Sequence, residues 1–378
     1  MDRNIVHMDL DTFFVSVERR LNSKLNRLPV IVGGLSDRGV VAGCSYESRA
    51  FGVHSGMPTK MAKLLCGDAV FIRGDMDSYS KYSRLVTDVI AQSAPVYEKA
   101  SIDEHYIDLT GMERFFGTLQ WSHELRRKIM KETGLPISFG LSINKTVSKI
   151  ATGEAKPNGE LFIEGDKVKD FLMPLPVTKI PMLGKLTGQK LMRMGVFTIK
   201  TLSEMPPEML EFVFGKNGMM LWKKANGVDN SPVMQYSEGK SISSENTFEQ
   251  DTTDVEMLHQ ILISMVEKIA FELRKKQKLV GVVSVKIRYS NFDTHTVQKR
   301  IPYSSFDHIL IKIATELFDK LYSRRMLIRL IGVKFSGLVG GVQQLNMFED
   351  AEEMVKLYQA MDNIRLRFGQ KAIRRAVR

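Results

Sequence analysis

Two short apolar runs far apart in this chain each carry carboxylates at one end, and that pattern constrains the fold more than any other feature. Asp9 follows Ile5-Val6-His7-Met8, which reads as a buried strand, and Asp103 and Glu104 head a second strand through Tyr106-Ile107-Asp108-Leu109. If those strand ends meet, three acids repel one another unless divalent cations hold them together, and hard cations such as Mg²⁺ take oxygen ligands. Two such ions about 4 Å apart are the apparatus of in-line phosphoryl displacement. The expected fold therefore brings the chain start beside Asp103.

With 378 residues the chain exceeds one ordinary core, and two to four domains are expected. No apolar run approaches bilayer length, and nothing at the N-terminus reads as a secretory leader. Cys44 and Cys66 are too few for a disulfide framework or a zinc cluster, which suits a reducing cytoplasm. A net charge of +11, from 54 Lys and Arg against 43 Asp and Glu, points to a polyanionic partner, most often nucleic acid.

Periodicity predicts a helix over 11–21, with Phe14, Val17 and Leu21 on one face and Asp11 as its cap. Short strands follow at 29–32 and 39–42, and short helices at 46–50 and 58–65. A longer helix over 76–96 carries Tyr79, Tyr82, Val86, Val89 and Ile90. Strands at 97–102 and 105–110 come next, then a helix over 121–133, a strand at 137–143 and a helix over 145–155 capped by Asn144. Helices crossing a mixed sheet argue α+β. Residues 166–230 read as all-helical, and a polar stretch leads into a second α+β unit. There Val283, Val285, Ile287 and Tyr289 alternate with Ser284, Lys286, Arg288 and Ser290, a strand with one buried and one basic face.

Four segments in order carry a resemblance. Met8-Asp9-Leu10-Asp11-Thr12-Phe13-Phe14, Ser45-Tyr46-Glu47-Ser48-Arg49-Ala50-Phe51-Gly52-Val53, Ser101-Ile102-Asp103-Glu104 and Ala155-Lys156-Pro157-Asn158-Gly159 resemble the motifs of the Y-family DNA polymerases, in their DinB branch. The resemblance spans essentially the whole chain. It implies an α+β right-hand polymerase: a catalytic palm at 1–17 and 73–165, small fingers at 18–72 and a helical thumb at 166–232. A linker at 233–241, a little finger at 242–345 and a tail at 346–378 would complete it.

The resemblance assigns Asp9, Asp103 and Glu104 as catalytic carboxylates that, with the Leu10 carbonyl, hold two Mg²⁺ ions. Asp11 and Asp108 are left to structure. Tyr46, Arg49 and Lys156 match positions that grip the incoming triphosphate, with backbone N–H groups of Phe13 and Phe14 adding donors. Phe14 resembles the aromatic gate that excludes a ribose 2′-hydroxyl, and Phe13 is the better core residue. Val32, Ala42, Gly43 and Gly56 match positions near the nascent base pair, where small side chains trade accuracy for tolerance of lesions. Gly43 departs from the hydroxyl residue common there. His105 also departs from the family pattern, and strand alternation turns it away from Glu104.

In the thumb, Ile180-Pro181-Met182-Leu183-Gly184-Lys185 and the helix through Lys190 resemble a helix–hairpin–helix, which offers backbone N–H groups to a DNA phosphate. Met182 stands where such hairpins usually have glycine. Lys286, Arg288, Lys299, Arg300, Arg324, Arg325, Arg329 and Lys334 are the phosphate-contact candidates of the little finger. Gln344-Leu345-Asn346-Met347-Phe348 resembles the peptide that docks into the bacterial sliding clamp, with Met347 for the commoner leucine. The basic tail beyond it either docks on the enzyme or touches DNA.

These readings converge on a translesion DNA polymerase without proofreading, a cytoplasmic monomer acting on primer–template DNA and dNTPs. Its rivals are a UmuC-type catalytic subunit needing an accessory protein, a non-catalytic scaffold for DNA and clamp, and a palm-bearing nucleotide cyclase. The intact acids disfavour the scaffold, and the cyclase leaves the hairpin and basic C-terminal unit unexplained.

Overall fold

The computed structural model describes residues 3–235, 238–323, 326–341, 351–370 and 372–373. It divides into two compact units, at residues 1–237 and 238–378. The first runs β1 (Ile5–Leu10), α1 (Phe13–Leu21), β2 (Val30–Gly33), β3 (Val41–Cys44), α2 (Tyr46–Arg49), α3 (Thr59–Leu65), β4 (Val70–Ile72), α4 (Met76–Ser93), β5 (Val96–Lys99) and β6 (Glu104–Asp108). It continues through α5 (Thr118–Thr133), β7 (Ile137–Ser142), α6 (Lys145–Ala155) and β8 (Glu160–Phe162). Five helices complete it: α7 (Val168–Leu172), α8 (Lys185–Arg193), α9 (Ile199–Glu204), α10 (Pro207–Phe214) and α11 (Lys216–Ala225).

A five-stranded sheet of order β5-β6-β1-β7-β8 is the floor of this unit. Strand alternation sorts its residues by face. Val6, Met8 and Leu10, with Ile107, Ile137, Phe139 and Leu141, face the core shared with α1, α4 and α5. The opposite face carries His7 beside Gly140 and Asp9 beside both Ser138 and Glu104. Helix α6 covers this second face very closely. A Cβ on Gly140 would lie 2.3 Å from the Ser148 carbonyl oxygen and 2.5 Å from the Thr152 nitrogen, so only glycine admits the helix there.

Further cores belong to the same unit. A small sheet, β3-β2-β4, closes around Ile31, Val41, Val53 and Met57. Helices α7 to α11 pack with α6 around Val147, Leu172, Leu191, Leu202 and Leu221.

The second unit is a four-stranded antiparallel sheet, β11-β10-β12-β9, formed by β9 (Ser241–Thr252), β10 (Lys278–Tyr289), β11 (Thr294–Ser304) and β12 (Ile328–Gly340). One face is covered by α12 (Val255–Lys275) and α13 (Asp307–Leu321), through Leu262, Val266, Leu310 and Phe318 against Val283, Val285 and Ile287. A last helix, α14 (Ala351–Phe368), docks on this unit through the buried Tyr358.

Several local expectations are corrected. Helix α1 buries Phe13, Val15 and Val17, while Leu21 is 56% exposed. Its N-cap is Thr12, in the left-handed region with no side-chain cap, so Asp11 does not cap it. The strand expected over 97–102 stops at Lys99, because the Ser101 hydroxyl captures the N–H groups of Asp103 and Glu104 and turns the chain. The expected linker is partly fixed: Val233 is buried with Ile5 and Tyr106, and the Met234 N–H donates to Glu98 at 2.7 Å. Asn144 does cap α6, accepting from the Val147 N–H at 3.0 Å. Cys44 and Cys66 are free and buried.

Candidate active site

The antiparallel register of β1 and β6 sets Asp9 directly across from Glu104, and such pairs share a sheet face. Asp103 lies in the turn before β6, fastened by the Leu10 N–H, which donates to the Asp103 carbonyl at 3.1 Å. The three acids are therefore neighbours. Burial pushes the Asp9 carboxyl up to about 7, against the pull of Lys156, with Glu104 and Asp103 adding like-charge repulsion.

Two lysines delivered by α6 meet this charge. Lys156, at the helix C-cap, binds Asp9, and Lys149 donates to Glu104 at 2.5 Å. Glu104 is held well below the ordinary carboxylate range: burial would raise it, but His7 and Lys149 outweigh that. His7 is buried, lowered to about 4 chiefly by burial, with Nδ1 2.8 Å from the Thr152 hydroxyl. His105 points to the other face, where Nε2 lies 3.0 Å from the Thr87 hydroxyl on α4, away from the acids.

Asp11 is a tie-point that its position in the sequence conceals. It is 2% exposed and accepts from the Ser138 hydroxyl at 2.9 Å, the Asn158 N–H at 2.7 Å and the Tyr46 hydroxyl at 3.4 Å, with Lys156 at 4.0 Å. Tyr46 is pushed up to about 12, by burial first and by Asp11 next. Arg49 is exposed and lies over the Tyr46 ring at 5.0 Å. Lys156 thus meets Asp9, Tyr46 meets Asp11, and Arg49 lies on Tyr46. Arg126, which sequence reading passed over, donates to the Ile137 carbonyl, to both oxygens of Asn158 and to Glu160, and so fixes the turn after Lys156. The signal for Asp11 was its spacing of two from Asp9, although it lies in the turn just beyond β1.

Phe13 is in the core, whereas the partly buried Phe14 packs against Tyr79 with its ring tilted and 4.6 Å between ring centroids. Gly43 lies against it: a Cβ there would come within 3.2 Å of the Phe14 ring. Ala42 and Gly56 are exposed. Val32 departs from expectation, since β2 turns its side chain wholly into the core and leaves it no surface for a base pair.

Of the DNA-contact candidates, Gly184 and Lys185 are exposed at the start of α8, and Met182 completes the hairpin with φ at 69°. Lys190 is turned back onto its own unit, over Phe214 and donating to the Val213 carbonyl at 3.3 Å. On the second unit Arg300 and Lys334 are exposed, while Lys286 pairs with Glu245 at 2.5 Å and Arg288 donates to Thr294 at 2.8 Å. Lys299 lies opposite the buried Val283, on the helix-covered face, and pairs with Glu316 of α13, so it leaves the basic face. Arg329 lies over the Phe292 ring at 4.6 Å. Arg324, Arg325 and the expected clamp peptide with Gln344, Leu345, Met347 and Phe348 lie outside the described residues.

Sequence models of the impB/mucB/samB family match residues 8–153, and those of its C-terminal domain match residues 239–347. The DNA polymerase IV of Dehalococcoides mccartyi is 39% identical over 375 residues, covering 98% of this chain and 96% of that protein. This chain belongs to the Y-family of DNA polymerases. The DNA polymerase IV of Desulfatibacillum aliphaticivorans is 36% identical, with 98% and 95% covered, and that of Streptococcus pneumoniae 36%, with 89% and 97%. A solved Y-family DNA polymerase chimera superposes with a TM-score of 0.80 and 26% identity, covering 89% of this chain and all of that one. This Y-family chain has the α+β right-hand architecture of palm, fingers, thumb and little finger. Among the described residues no helix is long and apolar enough to cross a membrane.

The family implies divalent metal, and the donor set fits it. Three carboxylates share one sheet end, where burial first, with repulsion from Glu104 and Asp103 added, raises Asp9, and a divalent cation offsets the cost of keeping such a buried group charged. Among the described residues no three His, Cys, Asp or Glu side chains are gathered closely enough to hold an ion; Asp9 and Glu104 are engaged by lysines, and Asp103 accepts from the Ser101 hydroxyl at 2.6 Å.

Proposed function

We propose that this protein is a template-directed DNA polymerase of the translesion type, extending a primer 3′-hydroxyl with dNTPs by metal-assisted phosphoryl transfer. The observation that carries the reading is the register of β1 against β6, which sets Asp9 across from Glu104 with Asp103 beside them. Asp9, Asp103, Glu104 and the Leu10 carbonyl would hold two Mg²⁺ ions, which when bound lower the pKa of the attacking hydroxyl and neutralise the triphosphate as pyrophosphate leaves. Lys156 exchanges Asp9 for a triphosphate oxygen, and Arg49 and Tyr46 add charge-assisted and neutral hydrogen bonds to the same group. Phe14 bars a 2′-hydroxyl, and the small residues Ala42, Gly43 and Gly56 leave room for a distorted template base.

Residues 1–17 and 73–165 act as palm, 18–72 as fingers, 166–232 as thumb and 242–345 as little finger. The hairpin at Gly184 and Lys185 and the exposed Arg300 and Lys334 hold DNA phosphates without reading sequence. Residues 344–348 bind the sliding clamp, and the chain works as a monomer in the cytoplasm.

Primer extension by the purified chain tests the core of this. Extension should stop on chelation and resume with added Mg²⁺, and Asp103→Ala should lower kcat by about a thousandfold or more. Retained turnover in that variant would falsify the metal-carboxylate mechanism. A need for a second protein before any extension is seen would favour a UmuC-type subunit.

A further inference from the structure

The thumb hairpin makes its turn without the residue best suited to it. Met182 holds φ at 69° with its side chain 83% exposed, a backbone conformation that strains any residue bearing a Cβ. Directly behind the turn lies Lys224, near the end of α11, 9% exposed, whose ammonium donates to the Pro181 carbonyl at 3.2 Å. Lysine is seldom buried unless it is paired.

Lys224 belongs to a connected set. Asp229 draws on it electrostatically and is itself fixed, accepting from the Thr146 hydroxyl of α6 at 2.7 Å and the Ser231 hydroxyl at 2.6 Å. The Asn144 side chain, capping α6, donates to the Gly227 carbonyl at 2.8 Å. Hairpin carbonyl, buried lysine, the turn after α11 and the start of α6 are thereby linked within one compact unit.

We infer that Lys224 is a positioning residue for DNA binding. It holds the Met182 turn in the form in which the hairpin N–H groups meet a phosphate, and so compensates for the missing glycine. The inference rests on the reading of the hairpin as a DNA clasp. Lys224 points inward at a carbonyl, whereas the exposed Lys185 is the lysine that meets the phosphate. The two therefore respond differently to salt.

The test is fluorescence anisotropy of a labelled primer–template with the full chain over a salt series. Losing one hydrogen bond from a buried charged donor, Lys224→Met should raise Kd about fivefold at every salt concentration. The slope of log affinity against log salt should stay as in the parent. Lys224→Arg, which keeps a donor, should bind as the parent does. Adding Met182→Gly to Lys224→Met should recover most of the lost affinity, since glycine takes this turn without strain. Lys185→Ala should both weaken binding and flatten the slope by about one. If Lys224→Met melts too low to assay, Lys224→Gln, too short to reach Pro181, carries the same expectations. Unchanged affinity in Lys224→Met, a flattened slope, or no rescue by Met182→Gly overturns the brace. A silent Lys185→Ala removes the DNA clasp and the brace with it, whereas a weakened Lys185→Ala beside a silent Lys224→Met removes the brace alone.

Discussion

Asp11 shows how one buried carboxylate decides where the residues of the candidate site stand. Its carboxylate is the shared acceptor for Ser138 on β7, for the backbone after Lys156 and for Tyr46 on α2. Removing it leaves buried donors without a partner, which costs more than the net worth of the bonds themselves. Asp11→Ala should therefore lose about 3 kcal/mol of stability in chemical denaturation. Asp11→Asn, keeping an acceptor oxygen in place, should lose visibly less. Equal losses in the two variants would mean that packing rather than hydrogen bonding holds this corner.

Between elements, the decisive contact is α6 on the sheet. Its two lysines reach Asp9 and Glu104 only because Gly140 lets the helix backbone lie almost against β7. Gly140→Ala has nowhere to place a methyl group except by lifting the helix, so it should destabilise the protein by about 3 kcal/mol. Extension activity should fall in the fraction that still folds, measured at a temperature below its melting point. Full activity with parent-like melting would show that α6 is free to shift. Helix α14 poses a similar question in the second unit. Arg274 makes two hydrogen bonds to Asp362 of α14 and one to Asp307 of α13, and the 4%-exposed Arg365 lies 3.6 Å from the same Asp307. Tyr358 stacks on Phe306 and lies 2.9 Å from the His308 ring nitrogen. Ending the chain before Ala351 strips buried charges of their partners, and should cost about 3 to 5 kcal/mol. Differential scanning calorimetry would reveal it as a lowered transition, and an unchanged trace would make the helix an ornament of the surface.

For the whole polymerase, the net charge of +11 matters through its placement. With Lys185, Arg300, Lys334, Lys286 and Arg288 as the proposed phosphate contacts, about five in all, log affinity should fall with log salt at a slope of about −4.5. Anisotropy titrations with primer–template DNA measure this directly. A slope near zero would remove the basic strand face from the DNA-binding surface.

Alternation and spacing made much of this legible in advance. Apolar periods located β1, β6, α4 and the buried face of β10, and the carboxylates at strand ends announced their own meeting, because charge of one sign gathers only for a reason. Such local rules say which face a side chain takes. They do not say what waits on that face. That Asp11 would anchor β7 and α2, that Val32 would sink into the core, that Lys299 would turn toward Glu316 and that the tail helix would seal a buried ion network all depend on partners distant in the chain. Only the folded arrangement decides those, since burial and hydrogen-bond geometry exist only once the distant pieces are in contact.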